Sequence, residues 1–179
     1  MAATQVFSIY DLHEQEIVRW VGAEMAIGGG GYCVDEQTVE TGWASATPVV
    51  WQDDSIPYRQ FTHIDMELAD GRVFSLVSQF QDGTDFYGLY LVLSDAISKL
   101  READDGGIYR VRELTDFPTG VTSVRAVRRD GPTSVVEAEF SFREGVIRFL
   151  SAEVHERDGG YVIVERDESV LVQMERSNA

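Results

Sequence analysis

The chain of 179 residues holds one cysteine, Cys33, and only one of its cations, Lys99, is a lysine. A lone thiol makes no intramolecular disulfide, so the fold must rest on packing; at this length roughly 70% of the unfolded chain's surface is buried, which suffices. No window approaches the roughly 18 uninterrupted apolar residues of a membrane helix. Met1-Ala-Ala-Thr lacks the basic start and apolar centre of a secretory signal, and the expected compartment is the cytoplasm. Positive charge is scarce: 15 basic residues stand against 31 acidic, a formal charge of -16. That argues against non-specific nucleic-acid binding and against anionic membrane surfaces, since both need a positive footprint.

Several catalytic signatures are missing too. Gly28-Gly29-Gly30-Gly31 lacks the lysine and hydroxyl residue of a phosphate loop and the spacing of a dinucleotide fingerprint. Cys33, beside that run, has no histidine near it in sequence and no local cysteine-enzyme signature, so it reads as a small hydrophobe. No short-period repeat points to a solenoid or propeller.

What is present is period-two patterning cut by acidic-glycine corners. From Thr133 to Glu175 the chain reads as four strands: Val136, Ala138, Phe140 and Phe142 alternate with polar residues, and strands to Glu156, from Tyr161 to Glu165 and from Val170 to Met174 follow. A Glu144-Gly145 loop sets Phe142 opposite Ile147 and Phe140 opposite Phe149. The last run is apolar on both faces and belongs in the middle of a sheet or under a helix. A second meander spans Phe61 to Leu93. A two-residue Asp70-Gly71 loop there would set acids against core residues. A three-residue Ala69-Asp70-Gly71 loop, with Gly71 left-handed, pairs Met66 with Phe74 and Ile64 with Leu76 and is preferred. Asp82-Gly83-Thr84 turns the chain into Phe86 to Leu93. Between Tyr32 and Tyr58 the pattern is poor; Tyr32-Cys33-Val34 and Trp43 to Trp51 read as strands that Pro48 and Pro57 push to an edge or a loop.

Two helices are expected. Asp11 with Glu14 resembles a capping box before Ile17, Trp20, Val21 and Met25, predicting a helix from Leu12 to about Ala26. Ser94 caps a shorter one, with Ala96, Ile97 and Leu100 on one stripe, and strands at Ile108 to Leu114 and Val121 to Arg129 follow. The fold class is therefore α+β: a predominantly antiparallel sheet of two meanders, with an N-terminal helix and a short helix between the meanders. It forms a single domain over 1-179, with a possible subdivision into 1-105 and 106-179.

Candidate chemistry is sparse. His63, Asp65 and Glu67 alternate on one strand, but positions i to i+4 span about 13 Å, too far for one ion unaided, so they read as a wet face and no metal or cofactor is assigned. Glu153 and His155 share a face, the setting of an oriented general base, yet such pairs are common without catalysis and no catalytic residue is assigned. Between Lys99 and Arg129 seven basic residues face five acidic, a local positive surplus in an acidic chain. Arg110 with Arg112, and Arg125 with Arg129, share strand faces there and are candidates to hold an anion. Asp65, Glu67, Glu137 and Glu139 are candidates for a partner-facing acidic surface. The composition points to a non-catalytic cytoplasmic protein presenting acid to a basic protein partner, as inhibitor or immunity proteins do. The alternative is a small-molecule site or enzyme pocket near Trp43, Trp51, His63 and the arginine zone.

Overall fold

The computed structural model describes residues 6–30, 47–80, 87–104, 106–130 and 134–176. In chain order it runs β1 (Val6–Phe7), a 3-10 turn (Ile9–Leu12), β2 (Glu16–Met25), β3 (Gly28–Gly30), β4 (Thr47–Val50), β5 (Arg59–Leu68), β6 (Val73–Phe80) and β7 (Tyr87–Ser94). It continues through β8 (Tyr109–Glu113), β9 (Gly120–Val121), β10 (Ser123–Asp130), β11 (Ser134–Phe142), β12 (Gly145–Arg157) and β13 (Gly160–Arg176). One curled antiparallel sheet has the order β1-β7-β6-β5-β13-β12-β11-β10, β2 branches from β5 to carry β8 and β9, and β3 pairs with β4 alone. Among the described residues there is no α-helix, so the α+β expectation is overturned; none is long and apolar enough to cross a membrane.

Both expected helices fail for identifiable reasons. The capping box sits one turn earlier than predicted: Ser8 accepts from Tyr10 N while Asp11 accepts from Ser8 N, and this closes only the 3-10 turn. Glu16–Met25 is then held on both edges, by β5 on one side and by β8 and β9 on the other. Ile17, Trp20 and Val21 are all at most 1% exposed there. The strand buries every residue from Trp20 to Met25, on both faces, where an amphipathic helix would bury a single stripe; burial of that extent outweighs helix propensities, which differ by at most about 0.7 kcal/mol among ordinary residues. After Ser94 the chain bends at Asp95 and Ala96 and forms no helix. Ser98 N donates to the buried Asp65 carboxylate and Arg101 bridges Val111, while Leu100, meant for a buried stripe, is 54% exposed.

The hairpins follow the pattern with two corrections. The Ala69-Asp70-Gly71 loop forms with Gly71 at φ 87, giving Met66 opposite Phe74 and Ile64 opposite Leu76. In the next hairpin Arg143 and Glu144 are the loop, so Phe142 meets Gly145, Phe140 meets Ile147 and Ala138 meets Phe149. That is a two-residue slip from the expected register, and it keeps the same faces together. The expected third and fourth C-terminal strands are a single strand, β13, which pairs along β12 across a bulge: Ser151 opposes Val170, whereas Ala152 opposes Glu165. Cys33, Trp43, the Tyr32-Cys33-Val34 segment and the Asp82-Gly83-Thr84 turn lie outside the described residues.

The main core fills the inside of the curl. Trp20 stacks on Phe149 at 6.2 Å, meets Phe117 and Phe142 edge-on, and donates its indole N–H to Pro118 O at 2.8 Å. A second cluster of Ile27, Ile56, Leu150, Ala152, Val154 and Leu171 covers the outer face of β12 and β13. The doubly apolar run Val170 to Val172 thus sits between β5 and β12, the central position its pattern implies. β4, with Pro48, belongs to a two-strand ladder in which each strand is an edge.

Candidate functional site

The alternation His63, Asp65, Glu67 places these side chains on one face of β5, but the face is not a wet one throughout. Asp65 is 1% exposed and accepts from Ser75 Oγ and from Ser98 N. His63 Nε2 lies 3.1 Å from Ser98 Oγ and 4.0 Å from Asp65, and Glu67 is 3.9 Å from Arg19. Asp65 is thereby occupied in holding the segment after β7.

The arginine candidates separate into two places. Arg110 and Arg112 on β8 face β2, where Glu24 is 1% exposed. Arg110 Nε lies 2.7 Å from Glu24 Oε2, Arg112 Nη1 3.7 Å, and Arg59 Nε 3.6 Å from Oε1; Asp116 holds the far end of Arg59 at 3.1 Å. Trp51 lies 3.9 Å from the Arg110 guanidinium carbon, ring centroid to atom. Together with Gln52 and Thr115 these side chains line an open recess of about 370 Å³. Arg125 pairs instead with Glu139, and Arg129 donates to Tyr10 Oη at 2.9 Å. The Arg129 contact holds the Tyr10 phenol below its ordinary range. Glu139 also takes Arg148, and Glu137 takes Arg128.

The densest acid on the chain is the β12–β13 hairpin arm. From Glu153 to Glu168 six acids face two arginines. Glu156, Asp158 and Glu168 are exposed, as is Asp54 in the loop before β5. Glu156 accepts from Gly29 N at 3.3 Å, and Glu156 and Asp53 together push the Tyr161 phenol up, after the larger effect of burial. Glu165 is taken up by Arg128 through two hydrogen bonds, which keeps its carboxyl below the ordinary range.

On the other face of the same arm Glu153 and His155 stand two residues apart on β12, and the β13 bulge folds Asp167 over them. His155 Nε2 lies 3.1 Å from Asp167 Oδ2, and one donor atom from each of Glu153, His155 and Asp167 lies within 4.8 Å of the others. The bulge is fastened from beneath: Ser78 Oγ donates to Asp167 O, and Ser151 Oγ lies 2.7 Å from Ser78 Oγ and 3.4 Å from the same carbonyl. Ser169 Oγ donates to Glu153 Oε2 at 3.1 Å and Glu168 N to Asp167 Oδ1 at 2.8 Å. Arg166 turns the bulge at φ 62. Burial, opposed by Ser169 and reinforced by Asp167, raises the Glu153 carboxyl.

The Glu153/His155 pair was legible from spacing; Asp167 and Glu24 were not. Asp167 reads as a turn residue between two strands, and only the continuity of β13 through the bulge brings it to His155. Glu24 lay inside the expected helix, although its position opposite the Arg110/Arg112 alternation is a signal once both segments are strands. Comparison with models of protein families, with curated proteins and with solved structures returns no match.

Proposed function

We propose that this is a non-catalytic cytoplasmic binding protein that meets a basic protein partner through its acidic β12–β13 arm, as an inhibitor or immunity protein does. The concentration of six acids against two arginines between Glu153 and Glu168 carries the reading. Asp65 is buried and Glu67, Glu137 and Glu139 are paired with arginines of the chain, so the partner surface is assigned to the exposed Asp54, Glu156 and Asp158 instead. A field of this sign speeds encounter with a cation-rich surface, and salt screens it over a Debye length of about 8–10 Å. The test is the association rate with basic proteins encoded beside this one, measured from 50 to 500 mM salt. Reversing Asp54, Glu156 and Asp158 to lysine should slow association at least tenfold at low salt. A rate indifferent to salt and to these changes sinks the reading.

A second reading rests on the recess around Trp51. An indole against Arg110, with Arg59 and Arg112 beside it, suits a small planar anion. Quenching of tryptophan fluorescence by small aromatic carboxylates, lost in Trp51→Phe, is the outcome expected of that reading.

A further inference from the structure

We propose that Glu153, His155 and Asp167 form a site for one divalent transition-metal ion of the zinc class. Imidazole nitrogen with two carboxylate oxygens is a donor set that zinc, manganese and ferrous iron accept, whereas calcium and magnesium favour all-oxygen shells. The spacing fits one ion. Bonds of about 2.0–2.2 Å to nitrogen and oxygen set neighbouring donors about 3.0–3.5 Å apart in octahedral or tetrahedral geometry. His155 Nε2 and Asp167 Oδ2 are already 3.1 Å apart. The remaining separations lie within 4.8 Å, so the Glu153 carboxylate has to draw in for all three donors to share one ion.

The surroundings orient each donor. Ser169 fixes one Glu153 oxygen, and Glu168 N occupies Asp167 Oδ1, leaving Oδ2 turned to the imidazole. Ser78 and Ser151 hold the bulge's backbone in place from the core side. Outer hydrogen bonds of this sort position ligands before the ion arrives. With a neutral imidazole the three ligands carry two negative charges, which a divalent ion offsets. Their half-buried setting keeps further coordination positions open to water. Glu153 and Asp167 count among the six acids of the arm, but the site shares no residue with Asp54, Glu156 and Asp158, so zinc uptake and the association rate are read by separate variants.

The full-length protein, stripped with a chelator, is titrated calorimetrically with zinc chloride and, separately, with magnesium chloride. One zinc per chain is expected, with no magnesium heat at millimolar concentration. His155→Ala, Asp167→Asn and Glu153→Gln should each weaken zinc at least tenfold. His63→Ala should leave it unchanged. Far-UV circular dichroism checks each variant; should His155→Ala not fold, the near-isosteric Glu153→Gln and Asp167→Asn decide. Absence of zinc uptake by the native chain, or native affinity in the folded arm variants, overturns the site.

Discussion

The Arg110 guanidinium donates to the carboxylate of Glu24 across 2.7 Å, with the acid 1% exposed and the arginine 20% exposed at its side chain. Glu24 also lies within ion-pair reach of Arg59 and Arg112, so one buried acid balances the converging ends of three strands, β2, β5 and β8. Glu24→Gln keeps the volume and removes the balance. Breaking a buried ion pair by deleting one partner costs about 3–5 kcal/mol, and the partial exposure of the arginines sets the expectation near the lower end. Urea unfolding should show a midpoint lower by about 1 M or more for a slope of about 1–3 kcal/mol/M. Arg112→Gln, at a 48% exposed side chain 3.7 Å from Glu24, should cost under about 1 kcal/mol. Equal losses from the two changes would show that Glu24 is not the centre of the cluster.

Gly22 faces the core. A Cβ there would meet Phe61 Cε1 at 2.5 Å and Cδ1 at 2.7 Å, with Leu114 Cδ1 at 3.0 Å. Gly22→Ala should therefore destabilise by about 1–3 kcal/mol through overpacking, although alanine is otherwise the better residue within an element. Phe61→Leu paired with Gly22→Ala should recover part of the loss, seen as a non-additive change in denaturation midpoint. A stabilised Gly22→Ala would place the ring of Phe61 elsewhere.

How much of this was legible depends on whether a segment's neighbours lay close in sequence. The Ala69-Asp70-Gly71 loop could be read to the residue because only one register kept Ile64 and Met66 with Leu76 and Phe74, and because Gly71 supplies the positive φ. The Arg143-Glu144 loop was misread by two residues, since a shift of two preserves the face of every side chain and hydrophobicity alone is blind to it. β2 was misread altogether. Its ladders run to β5, β8 and β9, far along the chain, and burial on both faces erases the alternation that identifies a strand. The candidate metal centre failed in the same way: Glu153 and His155 are local, whereas Asp167 reaches them only through a bulge whose register lies in the β12 pairing.

Tyr10 supplies a pH dependence with a definite sign. Arg129 Nη2 donates to its hydroxyl at 2.9 Å and Ala126 N at 3.4 Å, and the Arg129 bond is the main cause of the lowered phenol pKa. In the interval below the unfolded value of about 10, the native chain has released this proton and the unfolded chain retains it, so stability rises with pH. The contribution is full above about 10 and is lost as pH falls through the native value. The stability difference between the native chain and Tyr10→Phe should grow as pH climbs toward about 10 and then level off, staying under about 1 kcal/mol for a contact this exposed. Tyrosinate absorbance should lose a component that titrates below the ordinary phenol range in Tyr10→Phe. A difference flat with pH would mean that Arg129 does not hold the phenolate.

Ser78 ties β6 to the β13 bulge, and its loss separates packing from polar fastening. Its hydroxyl is within reach of both Ser151 Oγ and Asp167 O, and Ser78 and Ser151 are 7% and 0% exposed. Removing one hydroxyl opens a gap too small to collapse a sheet, while a half-buried carbonyl loses its nearer donor; Ser151 remains 3.4 Å from that oxygen. The net loss for Ser78→Ala should be about 1–2 kcal/mol, a hydrogen bond plus part of a desolvation penalty. Ser78→Ala with Ser151→Ala leaves the Asp167 carbonyl without either hydroxyl, so the pair should cost more than the sum of the single changes. Hydrogen exchange places the effect: amides from Arg166 to Ser169 should lose protection in the double variant, while the Ile64 to Leu76 hairpin keeps its own. Uniform loss of protection over both regions would show that the two serines hold the whole sheet together rather than fastening the bulge.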